Sequence, residues 1–512
     1  MTTTLFRNGR VRTVAGDEVA DWVVIHDDKI AGVGRADDEP SADRTLDMDG
    51  ATLVPGFCDA HVHMPATGLY ETGLDFRGET SARAILDAYA ARAATNELLF
   101  GGNFEDPLDQ PLTRHDLDGV IGDRPALLAR ADMHSCIVSS TLLDGLEISD
   151  LEGVDVDDDG VPTGYLREQA AATAWRWFDA NLPSDQERAA IRAAIRRAYS
   201  KGVTRVHDMY VVEWRGWSSL DVLAEVMRPA ALDWSPYIAT TDVTRVKELR
   251  LPRIGGDWFL DGSFGSHTAW LSSPYRPPPP AGTPPSGISY RTDREVFEFF
   301  SEAQAAGLQT SVHAIGDAAI EQALAAWEKV AEVTGTEEVR ELRHRIEHFE
   351  CATDGHIARA ARLAIGASIQ PAFDLYWGGD DGLYARRIGW DRAQSMNRFK
   401  SMSEAGLVVG AGSDSTVTPL DPFLQMRALR MHHRPDQRVD GLTALSWHTL
   451  GSQSLSGSEG ALGTIEAGKR ADLALLSADP ADATASALYD TEVLGTWAHG
   501  VRVWPPEAAA AD

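Results

Sequence analysis

Eight short apolar runs, each closing on polar or ionisable residues, most constrain what this chain can fold into. In order they are "LVPGFCDAHVH", "RPALLARADMHS", "GVTRVHDM", "DWFLDGS", "LQTSVHAIGD", "RHRIEHFE", "LAIGASIQP" and "LVVGAGSDS". Amphipathic stretches intervene, such as "REVFEFFSEAQAAG" and "AAIEQALAAWEKVAEVTG", each ending at a glycine as helices commonly do. Strand-like runs alternating with helix-like ones predict βα units and a parallel sheet. Eight of them predict an α/β fold of the (β/α)8 TIM-like barrel class, whose chemistry sits at the C-terminal ends of the strands.

The two ends have another texture. "TLFRNGRVRTV", "ADWVVIHDDKIAGVG" and "RTLDMDGATLVPGF" are β-like runs punctuated by turn pairs, and "GTIEAGKRADLALLSADP" and "EVLGTWAHGVRVWPP" repeat the pattern. Residues 1–55 and 455–506 are therefore expected to form one small composite β-sandwich, leaving 56–454 for the barrel. Insertions are expected at about 65–124 and 151–200, and the proline-rich "PYRPPPPAGTPPSG" reads as an irregular loop.

A formal charge of −30 over 512 residues argues against nucleic acid and anionic membrane as partners, since both require basic patches. Cys58, Cys136 and Cys351 form neither a disulfide framework nor a CxxC pair, which suits a reducing compartment. The start "MTTTLFRNGRVRTV" has no signal-like apolar region and no run is long enough to span a bilayer, so the expectation is a cytoplasmic protein. Its expected partner is a small-molecule substrate, and a homodimer would be an ordinary assembly.

His61 and His63 stand two apart at the end of the first run, in "GFCDAHVHMP", and residues two apart on a strand share a face. Taken singly, the pair reads either as a metal site or as two hydrogen-bonded structural histidines. His313 closes the fifth run, His348 the sixth and Asp414 the eighth. Neutral imidazoles and carboxylates converging from separate elements are what zinc and related divalent ions require. The competing readings are satisfied core histidines for His313 and His348, and a helix N-cap for Asp414.

The combination "PGFCDAHVH", "GYLREQA", "GVTRVHD", "DGSFGSHTA", "SVHAIGD", "RIEHFE", "GAGSDS" and "LGTIEAGKRADLALLSADP" resembles the amidohydrolase superfamily, and within it the amidohydrolase 3 group of YtcJ-like proteins and N-substituted formamide deformylases. The resemblance implies a barrel with a composite β-sandwich. It also implies that His61 and His63 ligate the more buried metal, and that His313 and His348 hold a second ion or complete a one-ion site. Asp414 would both bind metal and act as the catalytic base. Many members bridge two metals with a carboxylated lysine, but "DWFLDGS" puts Asp257 in that place, and none of the six lysines ends a candidate strand. Asp257 or Glu168 of "GYLREQA" is then the candidate bridging ligand, Glu168 reading equally as a substrate contact or a helix-cap residue, with a mononuclear site still open.

His134, His207 and His267 lie near strand ends and read either as substrate contacts or as structural groups; Arg387 reads as an anion contact or a solvated arginine. Tryptophans in "AWRWFDANL" and "VVEWRGW" either line an apolar pocket or belong to the core. The expected activity is hydrolysis of a non-peptide C–N bond, in an amide, N-acyl or N-formyl small molecule, by water activated on one or two divalent ions, zinc first. The alternatives are deamination of a cyclic amidine or another hydrolysis at the same centre, and a non-catalytic regulator on the same fold.

Overall fold

Strands buried on both faces belong to parallel sheets covered by helices, and the computed structural model uses the apolar runs in this way. It describes residues 2–506 except 17, 96, 106, 132–134, 149–150 and 281. The chain divides into two compact units: Met1–His63 with Arg196–Tyr210 and Arg228–Asp512, and Met64–Ile195 with Val211–Met227. The fold is α/β.

The first unit contains eight strands numbered here β1 (Phe57–Val62), β2 (Val203–Val211), β3 (Asp233–Ala239), β4 (Arg253–Ile254), β5 (Gln309–Ala314), β6 (Arg345–His348), β7 (Gly366–Ile369) and β8 (Val409–Ala411). They form a three-stranded sheet in the order β3-β2-β1 and a five-stranded sheet in the order β4-β5-β6-β7-β8. β1 pairs parallel with β2, and the five-stranded sheet is parallel throughout. Links between the sheets include a parallel bridge between Val62 and Ser415, and a 2.8 Å bond from Gly255 N to Ile238 O. Every residue of β1, β5 and β6 is buried.

The helix Asp293–Ala305, just before β5, shows how the covering layer is encoded. Thr292 and Glu295 form a capping box that satisfies its free N–H groups, and Val296, Phe299, Phe300 and Ala303 place one apolar stripe inward. Phe300 stacks on Trp327 of the helix Asp317–Thr334 at a centroid distance of 4.2 Å. Such a ring pair adds about 0.5–1.5 kcal/mol beyond its buried area.

Three segments depart from the sequence expectation. Of the run 124–135, Ala126–Arg130 lies outside these two sheets; it pairs parallel with Leu99–Phe104 and antiparallel with Ser135–Val138 in the second unit, partners that local alternation concealed. Its place is taken by β3, where Pro236 disguised the strand; β3 is the terminal strand of its sheet, a position that tolerates proline. The run 257–263 is irregular apart from a bridge between Phe259 and His313, and the strand at that point is the two-residue β4. Gly255 and Gly256 have φ of +98° and +77°, and a Cβ on Gly255 would meet Ser311 O at 2.0 Å. Only glycine permits the turn that follows β4 and delivers Asp257.

The first unit also holds a four-stranded sheet of Lys29–Gly34, Trp22–His26, Thr3–Arg7 and Arg44–Asp47, and a six-stranded sheet of Val501–Trp504, Val493–Ala498, Leu473–Leu476, Thr52–Pro55, Arg10–Arg12 and Val19–Ala20. Strands from both chain ends thus share one sheet, joined where Leu473–Leu476 pairs with Thr52–Pro55, over a core in which Phe6 meets Trp497 edge to face at 5.0 Å. The second unit is built on a six-stranded sheet of its own, from Val154–Val156 to Leu74–Asp75. There Trp175 and Phe178 pack on Phe100, which is the core role for those aromatics. Among the described residues no helix is long and apolar enough to cross a membrane.

Candidate metal centre

His61 is the fifth residue of β1 and His63 follows its end, so strand alternation turns both rings to one side. His313 lies in β5, and His348 is the last residue of β6. Asp414 follows β8 and is pinned by a 2.8 Å bond from its N–H to His61 O. The rings of His61 and His63, His61 and His348, and His313 and His348 have centroids 5.5, 4.9 and 4.3 Å apart. Histidines more than 280 residues apart in the chain therefore meet at one end of the strands.

Asp257 stands among them. Its Oδ2 lies 3.1 Å from His63 Nε2 and 3.3 Å from His61 Nε2, while its Oδ1 lies 3.6 Å from both His313 Nδ1 and His348 Nε2. Asp414 Oδ1 lies 3.2 Å from His63 Nε2 and 3.5 Å from His61 Nε2. The potential ligand atoms of His61, Asp257 and His348, and those of His61, His63 and Asp414, fall within 4.8 Å of one another.

Each ring's proton is placed by its other nitrogen. His61 Nδ1 is 2.8 Å from Glu347 Oε2, His63 Nδ1 is 2.7 Å from Met209 O, and His348 Nδ1 is 2.8 Å from Gln370 Oε1. Each contact calls for an N–H on Nδ1, leaving the Nε2 lone pair to face the centre. His313 is turned the other way, with Nε2 near Gly262 O and Nδ1 facing Asp257. His61 Nε2, His313 Nδ1, His348 Nε2 and Asp257 Oδ1 are all buried without a hydrogen-bond partner. Leaving such atoms unpaired costs roughly 1–3 kcal/mol each. A bound divalent cation would give such atoms a partner, and imidazole with carboxylate is a donor set that zinc accepts.

The charges agree. Burial works against ionised Asp257, yet His61, His313 and His348 hold its pKa well below the usual carboxylate value. Burial likewise opposes Asp414, and His61 and His63 hold it down. Burial and the neighbouring His348 keep the His313 pKa low, so that ring is a neutral donor. Asp414 and His348 are also held at φ of +52° and +72°, in the left-handed region that costs a non-glycine residue about 1–2 kcal/mol.

A sequence model of the amidohydrolase family matches residues 44–504. The chain belongs to the amidohydrolase family. It is 30% identical over 500 residues to the Bacillus subtilis protein YtcJ, an amidohydrolase by name, covering 90% of each chain. It is 26% identical to the N-substituted formamide deformylase of Arthrobacter pascens, covering 96% of this chain and 97% of that one. A metal-dependent hydrolase from Pyrococcus furiosus superposes with a TM-score of 0.78 at 26% identity, covering 94% of this chain and 100% of that one.

Beneath the ligand cluster lies a buried layer that the sequence did not single out. Arg345 donates to Glu347, to Ala60 O at 2.6 Å, to His207 Nδ1 at 2.9 Å and to Tyr237 Oη at 3.2 Å. Ser311 Oγ also donates to Glu347. Burial and Arg345 keep His207 neutral, which gives it a structural role beneath the site. Asp59 Oδ1 accepts from His61 N and Ser413 N, tying β1 to the segment that carries Asp414. The legible signal was two charged residues, Arg345 and Glu347, at alternate positions of a strand, hence on one face of it.

The remaining candidates are placed as follows. Glu168 is exposed and opens the helix Glu168–Asn181 in the second unit. His267 is buried with its ring edge-on to Tyr275, and Arg387 donates to Phe264 O and Gly265 O, so its guanidinium holds a loop. His134 lies outside the described residues. Asp374, His432 and His433 also cluster. Arg434 N–H donates to His432 Nδ1 at 3.0 Å, which puts that ring's proton on Nε2, facing Asp374. His433 meets Asp374 through its backbone N–H at 3.0 Å and its Nδ1 at 2.6 Å, so the carboxylate fastens the loop.

Proposed function

We propose that the protein is a metal-dependent amidohydrolase that cleaves a non-peptide C–N bond of a small molecule, with an amide, N-acyl or N-formyl group as substrate. The observation that carries this reading is the set of buried, unpartnered ligand atoms on His61, His313, His348 and Asp257, completed by His63 and Asp414. The family membership and the named activities of its relatives support the same chemistry. We read the two parallel sheets as one eight-stranded barrel with the site at its C-terminal mouth, and the two mixed sheets as a composite β-sandwich.

His61, His63, His313, His348 and Asp414 would hold the cation, zinc first. When bound, it supplies an acidified water with a pKa near ~7 and polarises a substrate carbonyl. Glu347, Met209 O and Gln370 keep the Nε2 lone pairs of three histidines pointed inward, so no ring must turn before binding. Asp414, ionised and fixed through its backbone, accepts the proton of the attacking water and passes it to the departing nitrogen.

The test is release of amine from a library of N-acyl and N-formyl compounds, with and without chelator. Turnover that chelator abolishes and added zinc restores is the expected result. Stoichiometric metal with no turnover on any C–N substrate would sink the proposal and favour a regulatory role.

A further inference from the structure

We propose that a cavity beside the starts of the helices Asp293–Ala305 and Asp317–Thr334 binds a small organic ammonium ion, seated on Gln322 and Asp293 and separate from the histidine cluster. The cavity holds about 550 Å³, and a second of about 330 Å³ shares Trp270, Asp293 and Gln322 with it. Among the described residues that line the two, none belongs to the metal centre. The deciding atom is Gln322 Oε1. Gln322 is 6% exposed, and its Oε1 is buried with no hydrogen-bond partner among the described residues. Its Nε2 donates to Arg291 O and to Asp293 Oδ1, both at 2.9 Å. Turning the amide over would set an oxygen against those two acceptors, so the chemistry of its neighbours fixes its orientation. A buried acceptor at a cavity wall is thereby left calling for a donor.

The charges around that acceptor say which donor fits. Helix N-termini ordinarily attract anions, but these two helices begin with Asp293 and Asp317, whose carboxylates reverse the sign. Asp317 is engaged by Ser272, and Glu321 by His356 and Arg359. Asp293 is exposed and commits Oδ1 to Gln322, which leaves its charge to a ligand. An ammonium group between Gln322 Oε1 and Asp293 donates to both, and bonds between ionised partners are the stronger kind. The basic groups of the lining stand aside. The Arg291 guanidinium lies over the Trp258 ring, 4.9 Å from its centroid. Lys329 is two turns, or about 10 Å, farther along the helix that carries Gln322. Trp270, Ala325 and Ala326 give apolar surface to the hydrocarbon body of the ligand. This wall is fixed in advance, since Trp270 N donates to Asp261 Oδ2 at 2.8 Å and Trp270 O accepts from Ala318 N at 3.2 Å.

The test is calorimetric titration of the full-length, zinc-loaded protein with hexylammonium, and with hexanol and hexanoate as probes of the same length without the cation. The expected result is saturable binding of one hexylammonium per chain, with hexanol and hexanoate at least tenfold weaker. Gln322→Leu removes the buried acceptor and Asp293→Asn the charge, and each should weaken hexylammonium binding tenfold or more while bound zinc stays unchanged. Asp293 is exposed, so Asp293→Asn keeps the proposal falsifiable if Gln322→Leu does not fold. Quenching of tryptophan fluorescence by the ligand, reduced in Trp270→Phe, locates the occupant. No saturable binding, equal binding of hexanol or hexanoate, or unchanged affinity in either folded variant overturns the proposal, and the buried acceptor is then met by water alone.

Discussion

Replacing Glu347 by Gln removes the group on which the histidine cluster is founded, and the structure sets the size of the loss. Glu347 and Arg345 are fully buried and meet at 2.6 Å. Burial opposes the charge on Glu347, yet Arg345 and His61 bring its pKa down to about 2. Gln keeps the volume but leaves the Arg345 charge unpaired, and breaking a buried pair in this way costs about 3–5 kcal/mol. The same change removes the carboxylate that fixes His61 Nδ1–H. Loss of such an outer partner typically lowers metal affinity 10–100-fold, or about 1.4–2.7 kcal/mol. Glu347→Asp separates the two effects, because it retains the charge for Arg345 while drawing the carboxylate back from His61 by about 1.5 Å, one C–C bond. Urea unfolding of chelated protein reads stability, and competition with a metallochromic chelator reads affinity. Glu347→Gln should fail in both, and Glu347→Asp should lose proportionately more affinity. Wild-type metal affinity in Glu347→Gln would refute the reasoning.

Other outcomes follow from the same geometry. Asp414→Asn should lower kcat by roughly 10²–10⁴-fold while circular dichroism stays unchanged; full activity would remove it as the proton carrier. In the chelated protein, burial opposes a charge on His63, but bonds to Asp257 and Asp414 prevail and push its pKa from 6.5 up to about 10. A raised pKa contributes stability below the unfolded value, so the chelated protein should be most stable below pH 6.5 and lose that increment as pH rises toward 10. Zinc displaces those protons, so metal-loaded protein should show the opposite trend in Tm. Gly412→Ala would put a Cβ 2.4 Å from His61 N and 2.8 Å from Asp59 Oδ1, and should reduce bound metal even where the protein remains folded. Gln370→Ala should weaken metal binding by freeing the His348 ring, with little effect on unfolding.

The parts legible in the sequence are those with a local period. His61 and His63 share a face because strand residues alternate, and His313 and His348 stood out because each closes an apolar run. The exchange of strands was not legible. Pro236 hid β3, while 124–135 looked like one of the eight strands although Ala126–Arg130 pairs parallel with Leu99–Phe104 and antiparallel with Ser135–Val138 in the second unit. Asp257 was noticed only as the occupant of another residue's place; what puts it between the histidines is the Gly255–Gly256 turn, which alternation does not describe. Arg345 and Glu347 were passed over because their meaning depends on His61, His207 and Ala60, which are distant in sequence and adjacent only after folding.

The most direct test of the account is anomalous diffraction at the zinc edge from crystals of reloaded protein. Strong anomalous density enclosed by His61, His63, His313, His348 and Asp414, with Asp257 among them, is the expected result. Fully loaded crystals with no density there, or with the histidine rings turned away from one another, would contradict it.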